Sequence, residues 1–257
     1  MNFEKIIEFH EKYGTSVQML KDRSDFKDIF DNVVIAPMWK PSMCFNIDEK
    51  YITKVNDRLY NVESDTYKFS FVSVGMMGAS NTMDVVLECL LFNPKAVLFV
   101  GSASSLNVNI KIGDTVLVEK SFCGEGASRY LNDDLHDDFG EYLSPSHKLN
   151  FQIENILRKN NIDYFLADCF CASTIFSQFS HIDYVKSFGC DILEMESYCA
   201  FKACQTRNVP VSAIINISDS MAMCKSLFSG RTSQEKKIRD EKRKNVITKV
   251  VTELFMK

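Results

Sequence analysis

Two uninterrupted apolar runs restrict the fold of this chain more than any other feature. Residues 94–101 read Pro-Lys-Ala-Val-Leu-Phe-Val-Gly, and residues 210–218 read Pro-Val-Ser-Ala-Ile-Ile-Asn-Ile-Ser. A strand with one solvated face alternates apolar and polar side chains, whereas a strand covered by helices on both faces is apolar throughout. Both runs therefore predict central strands of a sheet that is covered on its two faces.

Further strands and helices alternate along the rest of the chain. The other predicted strands cover residues 32–37, 67–75, 113–120, 163–172 and 191–194, and the predicted helices cover residues 2–13, 80–92, 146–159, 184–188, 198–207 and 233–255. This alternation predicts an α/β fold with a mixed, mostly parallel central sheet flanked by helices on both faces. No linker or repeat interrupts the pattern, so we expect residues 1–257 to form a single domain.

Composition narrows the class of protein. A net charge of −4 disfavours a nucleic-acid partner, which requires a basic face. No apolar stretch reaches the roughly 18–20 residues of a membrane span, and acids interrupt the N-terminal segment, so neither a membrane segment nor a signal peptide is predicted. The nine cysteines form no CxxC pair and the four histidines show no ligand spacing with them. We expect reduced thiols, a cytoplasmic location, no metal and no organic cofactor.

Ligands of such sheets bind beyond the carboxyl ends of the strands, so the residues that follow each strand are the candidates. Gly101 and Ser102 follow the strand at 94–101, and Gly75 begins a turn that leads into the helix at 80–92. Small residues there allow backbone amides and hydroxyls to approach an anion, although the same residues are common in ordinary turns. The charged stretch at 233–244 mixes both signs and is predicted to be a solvated helix face.

Acidic residues follow two other strands. Glu194 and Glu196 flank Met195 at a junction between strand and helix. Either glutamate could simply favour the positive end of the helix, or a carboxylate could bind both hydroxyls of a ribose. Asp219 follows Ser218 at the end of the apolar strand at 210–218, where it could be a helix cap or a general acid.

These three segments, in this order, resemble the nucleoside phosphorylase superfamily of the hexameric, bacterial type. The resemblance implies that Glu196 binds the ribose hydroxyls, that Met195 packs against the nucleoside, and that Ser218 and Asp219 lie at the purine ring. It also implies that Phe176, in the segment Ser-Thr-Ile-Phe-Ser, stacks on the base. Cleavage of the N-glycosidic bond would then use Glu196 to stabilise the cationic sugar and Asp219 to protonate the leaving base. The family further implies a homo-oligomer, dimer-based and often hexameric.

Residues 93–99, 111–114 and 124–131 are similar to the short AMP nucleosidases, which hydrolyse AMP to adenine and ribose 5-phosphate. The arginines that phosphorylases of this family use for phosphate are missing here. The turn after the first strand reads Ala-Pro-Met-Trp-Lys-Pro, and Phe99 occupies the other arginine position. Lys40, Arg129 or Arg231 could replace them, with Arg129 the candidate beside Gly75, Gly101 and Ser102.

We therefore expect hydrolysis of a purine nucleotide or nucleoside, AMP first. Phosphorolysis with relocated phosphate ligands, giving ribose 1-phosphate, remains an alternative, as does a scaffold that binds nucleotide without turnover. Retention of both Glu196 and Asp219 argues against the scaffold, which would need neither carboxylate.

Overall fold

The structure, a computed structural model, describes residues 1–257. Eight helices and ten strands alternate along most of the chain. The helices are α1 (Phe3–Lys12), α2 (Val17–Arg23), α3 (Pro41–Cys44), α4 (Ala79–Leu90), α5 (His147–Lys159), α6 (Ile182–Ser187), α7 (Ser197–Thr206) and α8 (Ser233–Leu254). The strands are β1 (Asn32–Ala36), β2 (Ile52–Lys54), β3 (Leu59–Glu63), β4 (Lys68–Ser73), β5 (Ala96–Ser105), β6 (Thr115–Gly124), β7 (Tyr142–Leu143), β8 (Phe165–Ala172), β9 (Ile192–Glu194) and β10 (Val211–Ser220).

The predicted α/β class is confirmed, because the longest ladders of the sheet are parallel. β5 pairs in parallel with β1 and with β10, and β6 pairs in parallel with β8. β5 is long enough to pair with a third strand near its end, since Ser104 and Ser105 run antiparallel to β9. The strands β5, β10, β6, β8 and β9 thus close into a ring, and β1, β4, β3 and β2 extend from it.

Helices cover the sheet on both faces, as the apolar runs predicted. Along β5, Val97 and Phe99 pack into a core that includes residues of α4 and α7, whereas Leu98 and Val100 pack into a second core with residues of α5 and α8. All four side chains are fully buried. Successive side chains of a strand point to opposite faces, so an apolar strand of this kind is stable only between two such layers.

One irregularity in β10 decides which of its side chains face the carboxyl end of β5. Ile217 is registered with Ala103 and Asp219 with Ser104, so Ser218 is an extra residue in the ladder. Two residues opposite one define a β-bulge, and bulges bend the strand and redirect side chains. The bulge therefore sets the directions of both Ser218 and Asp219.

The cysteines match the expectation of reduced, mostly buried thiols. All nine are free and eight are buried. Burial raises the pKa of the Cys169 and Cys171 thiols well above their ordinary value, which keeps them protonated. None of the helices combines the length and the apolar composition that crossing a bilayer requires.

Candidate active site

A cleft lies beyond the carboxyl ends of β5, β9 and β10 and holds a cavity of about 170 Å³. Its position agrees with the general rule for ligand sites in parallel sheets. The structure brings most of the predicted site residues to this cleft. Those that line it are Gly101, Ser102, Glu194, Met195, Glu196, Ser218 and Asp219.

Glu196 occupies the N-cap position of α7 and is buried, with 6% of its surface exposed. Its Oε1 accepts the backbone N–H of Gly78 at 2.6 Å. Gly78 has a φ of 107°, a conformation that favours glycine, and this turn aims its N–H at the carboxylate. Burial, and then the charge of Glu194, raise the pKa of Glu196 from 4.5 to about 8.

Glu194 caps the following helix. Its Oε2 accepts the backbone N–H groups of Glu196 at 2.7 Å and Ser197 at 2.8 Å, and its Oε1 accepts the Ser197 hydroxyl at 2.6 Å. Burial raises the pKa of Glu194 despite these bonds. The two oxygens of Glu194 accept donors at the start of α7, and a contact of this cleft residue with substrate stays a prediction. Glu196 accepts one backbone N–H, from Gly78, and so keeps more acceptor capacity for a ligand.

Asp219 and Ser218 form the opposite wall. Both are buried, and the Ser218 hydroxyl lies 2.5 Å from Oδ1 of Asp219 and 3.1 Å from the carbonyl oxygen of Ala103. A hydroxyl has one proton, so it can donate to only one of these acceptors at a time. Arg231 donates from Nη1 to the Ser218 carbonyl at 2.6 Å, which fixes a cation next to the bulge.

Two predicted phosphate ligands lie outside the cleft. Gly75 donates its N–H to the carbonyl of Pro37 at 2.8 Å, so that amide is not free for an anion. Arg129 belongs to a short 3-10 turn (Ser128–Leu131), and its Nη2 lies 3.2 Å from Asp137. The carboxylate of Glu125 accepts the Ser128 N–H and so caps this turn. Neither residue lines the cavity, so the structure does not bring Gly75 and Arg129 together with Gly101 and Ser102.

Phe176 does not line the cavity, and its stacking on a base stays a prediction. Its side chain is 81% exposed, and its ring meets the ring of Phe228 edge to face, with centroids 6.1 Å apart. Residues Ile175 and Gln178 of the same loop line the cleft instead, as does Leu227 of the loop that carries Phe228. Phe176 therefore lies at the rim, where two loops meet.

Sequence reasoning missed several cleft residues, of which Arg239 is the most informative. The stretch at 233–244 was predicted to be solvated, yet Arg239 lines the cleft and Arg243 is only 3% exposed. Arg243 donates to the Met43 carbonyl at 2.9 Å, and its guanidinium lies 4.8 Å from the centre of the Trp39 ring. Asp240 accepts from Arg239 at 2.9 Å and pairs with Arg243 at 3.0 Å. The other missed cleft residues include Met38, Trp39, Met77 and Gln178.

A signal for this inward face was present in the sequence. Arg239, Arg243, Val246 and Val250 recur at intervals of three or four residues, so they share one side of a helix. Val246 and Val250 are buried in the core, which places both arginines on the buried side of α8. Long cationic side chains can cover apolar surface with their methylene groups, and here the guanidinium of Arg243 lies over Trp39 in the cleft wall.

Comparison with known proteins agrees with this geometry. A sequence profile described as "Phosphorylase superfamily" matches residues 47–255. No curated protein sequence matches the chain significantly. Among solved structures, purine nucleoside phosphorylase from Toxoplasma gondii has a TM-score of 0.73 at 16% identity, with 91% of this chain and 93% of that chain covered.

Two nucleosidases are similar as well. The 5'-methylthioadenosine/S-adenosylhomocysteine nucleosidase of Campylobacter jejuni has a TM-score of 0.69 at 16% identity, covering 87% of this chain and 97% of that chain. AMP nucleosidase from Bacteroides thetaiotaomicron has a TM-score of 0.66 at 15% identity, covering 88% and 95%. The chain belongs to the phosphorylase superfamily. It is thus an enzyme of the phosphorylase and nucleosidase class that the sequence resemblance predicted.

Proposed function

We propose that this enzyme cleaves the N-glycosidic bond of a purine nucleoside or nucleotide in the cleft between β9 and β10. One observation carries the proposal. Glu196, at the N-cap of α7, and Asp219, in β10, are buried carboxylates, and both line the same cavity together with Met195. Burial of an acid is unfavourable unless its environment or its function requires it, so two such groups facing one cavity favour an active site.

Glu196 would accept hydrogen bonds from the ribose hydroxyls. Its Oε1 is already fixed by Gly78, which orients the carboxylate before substrate arrives. Cleavage builds positive charge on the sugar, and a preoriented carboxylate stabilises that charge most strongly where water is excluded. With its pKa raised to about 8, Glu196 must release a proton to act in this way, and the developing sugar cation favours that release.

Asp219 would donate a proton to the leaving base. As the bond between C1′ and the base nitrogen breaks, its electron pair moves to the base, which then takes the proton. A water oxygen bonds to C1′ and loses a proton to solvent. General acid catalysis of this kind typically contributes about 10²–10⁴-fold in rate. The Ser218 hydroxyl, 2.5 Å from Oδ1, orients the carboxyl group.

Water is the first candidate for the nucleophile, which makes the reaction a hydrolysis. The cleft cations are Arg231 and Arg239, which come from the segment that precedes α8 and from α8 itself. Neither lies at the two positions where the resemblance places the phosphate arginines, which are the turn after β1 and Phe99 in β5. Phosphorolysis is the second candidate, favoured by Ser102 and Arg239, which could replace those ligands.

The test is to incubate the purified enzyme with AMP, adenosine, inosine and uridine, each with and without phosphate, and to identify the products by chromatography. A free sugar, or ribose 5-phosphate from AMP, formed without phosphate supports hydrolysis. Ribose 1-phosphate formed only with phosphate establishes phosphorolysis. Tight binding of base or nucleotide with no product contradicts the catalytic proposal and favours the scaffold.

We also propose that the enzyme is a cytoplasmic homo-oligomer. The nine free cysteines are stable in a reducing compartment. Phe176, Phe179 and Phe228 form an exposed aromatic group at the rim of the cleft, which is typical of a surface that contacts another protein. Sedimentation analysis of the purified chain tests this assembly.

A further inference from the structure

Two polar atoms in the cleft wall have no hydrogen-bond partner in the protein. They are Oγ of Ser104 and Nε of Arg231, and both residues line the cavity. Most buried polar groups are paired, because an unpaired one destabilises the fold. An unpaired group retained in the wall of an active-site cavity is therefore a candidate for a contact with the substrate.

Ser104 lies beside the proposed acid. It is registered with Asp219 across the β5–β10 ladder and with Leu193 across the β5–β9 ladder. Registered side chains stand on the same face of a sheet, and Ser102, two residues earlier in β5, also lines the cleft. The Ser104 hydroxyl is thus on the cleft face, and only 6% of the residue is exposed.

Arg231 is the second residue, and it also lines the cavity with Asp219. Its Nη1 is anchored at 2.6 Å to the carbonyl of Ser218, the bulged residue that precedes the acid. The anchor leaves the Nε–H without a partner. A guanidinium has five N–H donors and no acceptor, so any substrate atom that Arg231 binds must be an acceptor.

We propose that Ser104 and Arg231 bind a carbonyl oxygen of the leaving base, so that the enzyme prefers oxo-bases of the hypoxanthine type over aminopurines. This inference rests on the proposed function and replaces adenine, the base that the AMP resemblance implied. In a 6-oxopurine the carbonyl O6 neighbours N7, the atom that would take the proton from Asp219. Adenine carries an amino group at this place, which would direct its N–H donors against those of Arg231. A site built from donors rejects such a base, because its own groups stay unpaired.

The experiment compares kcat/KM for inosine with adenosine, and for IMP with AMP, so that the base is varied with and without a 5'-phosphate. We expect the wild type to prefer the oxo-base by at least about tenfold. Ser104→Ala should lower this preference by about 3- to 10-fold, the usual effect of one neutral hydrogen bond. Arg231→Gln, which offers a carbonyl acceptor to an amino group, should lower it by about 10- to 100-fold.

Thr82→Val is the matched control. Thr82 is fully buried in α4, its Oγ1 is also unpartnered, and it does not line the cleft. Both Ser104→Ala and Thr82→Val should keep or raise the thermal midpoint, since each removes an unpaired buried hydroxyl. Only Ser104→Ala should change base preference. A purely structural role of Ser104 would instead lower the midpoint and leave the preference unchanged.

Equal or faster cleavage of adenosine and AMP would overturn the inference, as would a preference that survives Ser104→Ala and Arg231→Gln. If no substrate is cleaved, the proposed function fails, and calorimetric binding of hypoxanthine and adenine still tests the base preference. Tighter binding of hypoxanthine that is lost in Arg231→Gln would support the inference, and equal or tighter binding of adenine would overturn it.

Discussion

The backbone N–H of Gly78 donates to Oε1 of Glu196 at 2.6 Å, and this bond joins the start of α4 to the start of α7. The carboxylate proposed to bind ribose is thus held by the residue that caps a different helix. Two elements that are distant in sequence share one hydrogen bond at the cleft, so small movements of α4 would change the orientation of the Glu196 carboxylate.

Glu196→Gln should lower kcat/KM for ribonucleosides by at least about 100-fold, because the neutral amide cannot stabilise a cationic sugar as a carboxylate does. The loss should be smaller for 2′-deoxy substrates, which lack one of the hydroxyls that Glu196 would bind. Steady-state kinetics with paired ribo and deoxyribo substrates measure both. Equal losses for the two series would contradict the assignment of Glu196 to the ribose hydroxyls.

The same substitution should alter how stability depends on pH. Burial holds the pKa of Glu196 near 8 in the folded state, against an ordinary value of 4.5. Between these values the unfolded chain releases a proton that the folded chain retains, so wild-type stability should fall as pH rises from about 5 to about 8. Gln mimics the protonated acid, so Glu196→Gln should gain stability relative to wild type over this range, on the order of a few kcal/mol by pH 9. Urea denaturation at pH 5, 7 and 9 measures the difference, and a constant difference would argue against the raised pKa.

Glu194→Ala should behave differently from Glu196→Gln. Glu194 accepts the N–H groups of Glu196 and Ser197, which would lose their partner in the variant. Unpaired buried donors of this kind cost about 1–3 kcal/mol, so we expect a loss of folding free energy of that size at neutral pH. Chemical denaturation followed by circular dichroism checks it. An unchanged stability would mean that Glu194 does not support α7.

Asp219→Asn should lower kcat by about 10²–10⁴-fold while the fold is retained. The amide oxygen can still accept the Ser218 hydroxyl, so the geometry of the bulge is preserved. Substrates whose leaving group needs no protonation should be much less affected. Activity on a nitrophenyl riboside beside inosine would reveal this, and equal losses on both would exclude the general-acid role.

Gly101→Ala should destabilise the protein by about 1–3 kcal/mol. A Cβ atom at Gly101 would lie 2.8 Å from the ring of Phe99, which is fully buried and has no room to move. Gly126→Ala is the control, because its nearest neighbour would be the flexible Arg129 side chain at 3.6 Å. Thermal denaturation of the two variants should show a lower midpoint for the first alone.

Sequence patterns predicted much of this fold because its central strands are encoded locally. The apolar runs that became β5 and β10 could be recognised without knowledge of their neighbours, and so could Glu196 and Asp219 at strand ends. The short strands β2 and β3 were missed, since mixed polar residues there give no clear period. Closure of the sheet was not predictable either, because it depends on β5 pairing with three strands at once.

The sequence did not predict which arginines lie in the cleft, and the reason is physical. Arg129 and Arg239 have the same chemistry in the sequence, yet one pairs with Asp137 outside the cleft and the other lines it. Long side chains take their positions from tertiary contacts that no local pattern records. Gly101 and Glu196 were easier to identify, since each lies at or just after a strand whose apolar pattern is visible in the sequence.

Because Ser218 is an extra residue in β10, the candidate site depends on the number of residues in this strand. Deletion of Ser218 would bring the ladder back into regular register with Asp219 still opposite Ser104, but it would remove the hydroxyl beside Oδ1 of Asp219 and the carbonyl that anchors Arg231. The buried residues that precede it, including Ile215 and Ile217, would keep their places in the core. A one-residue deletion could thus inactivate this enzyme and leave a folded protein, a change that stability measurements alone would not detect.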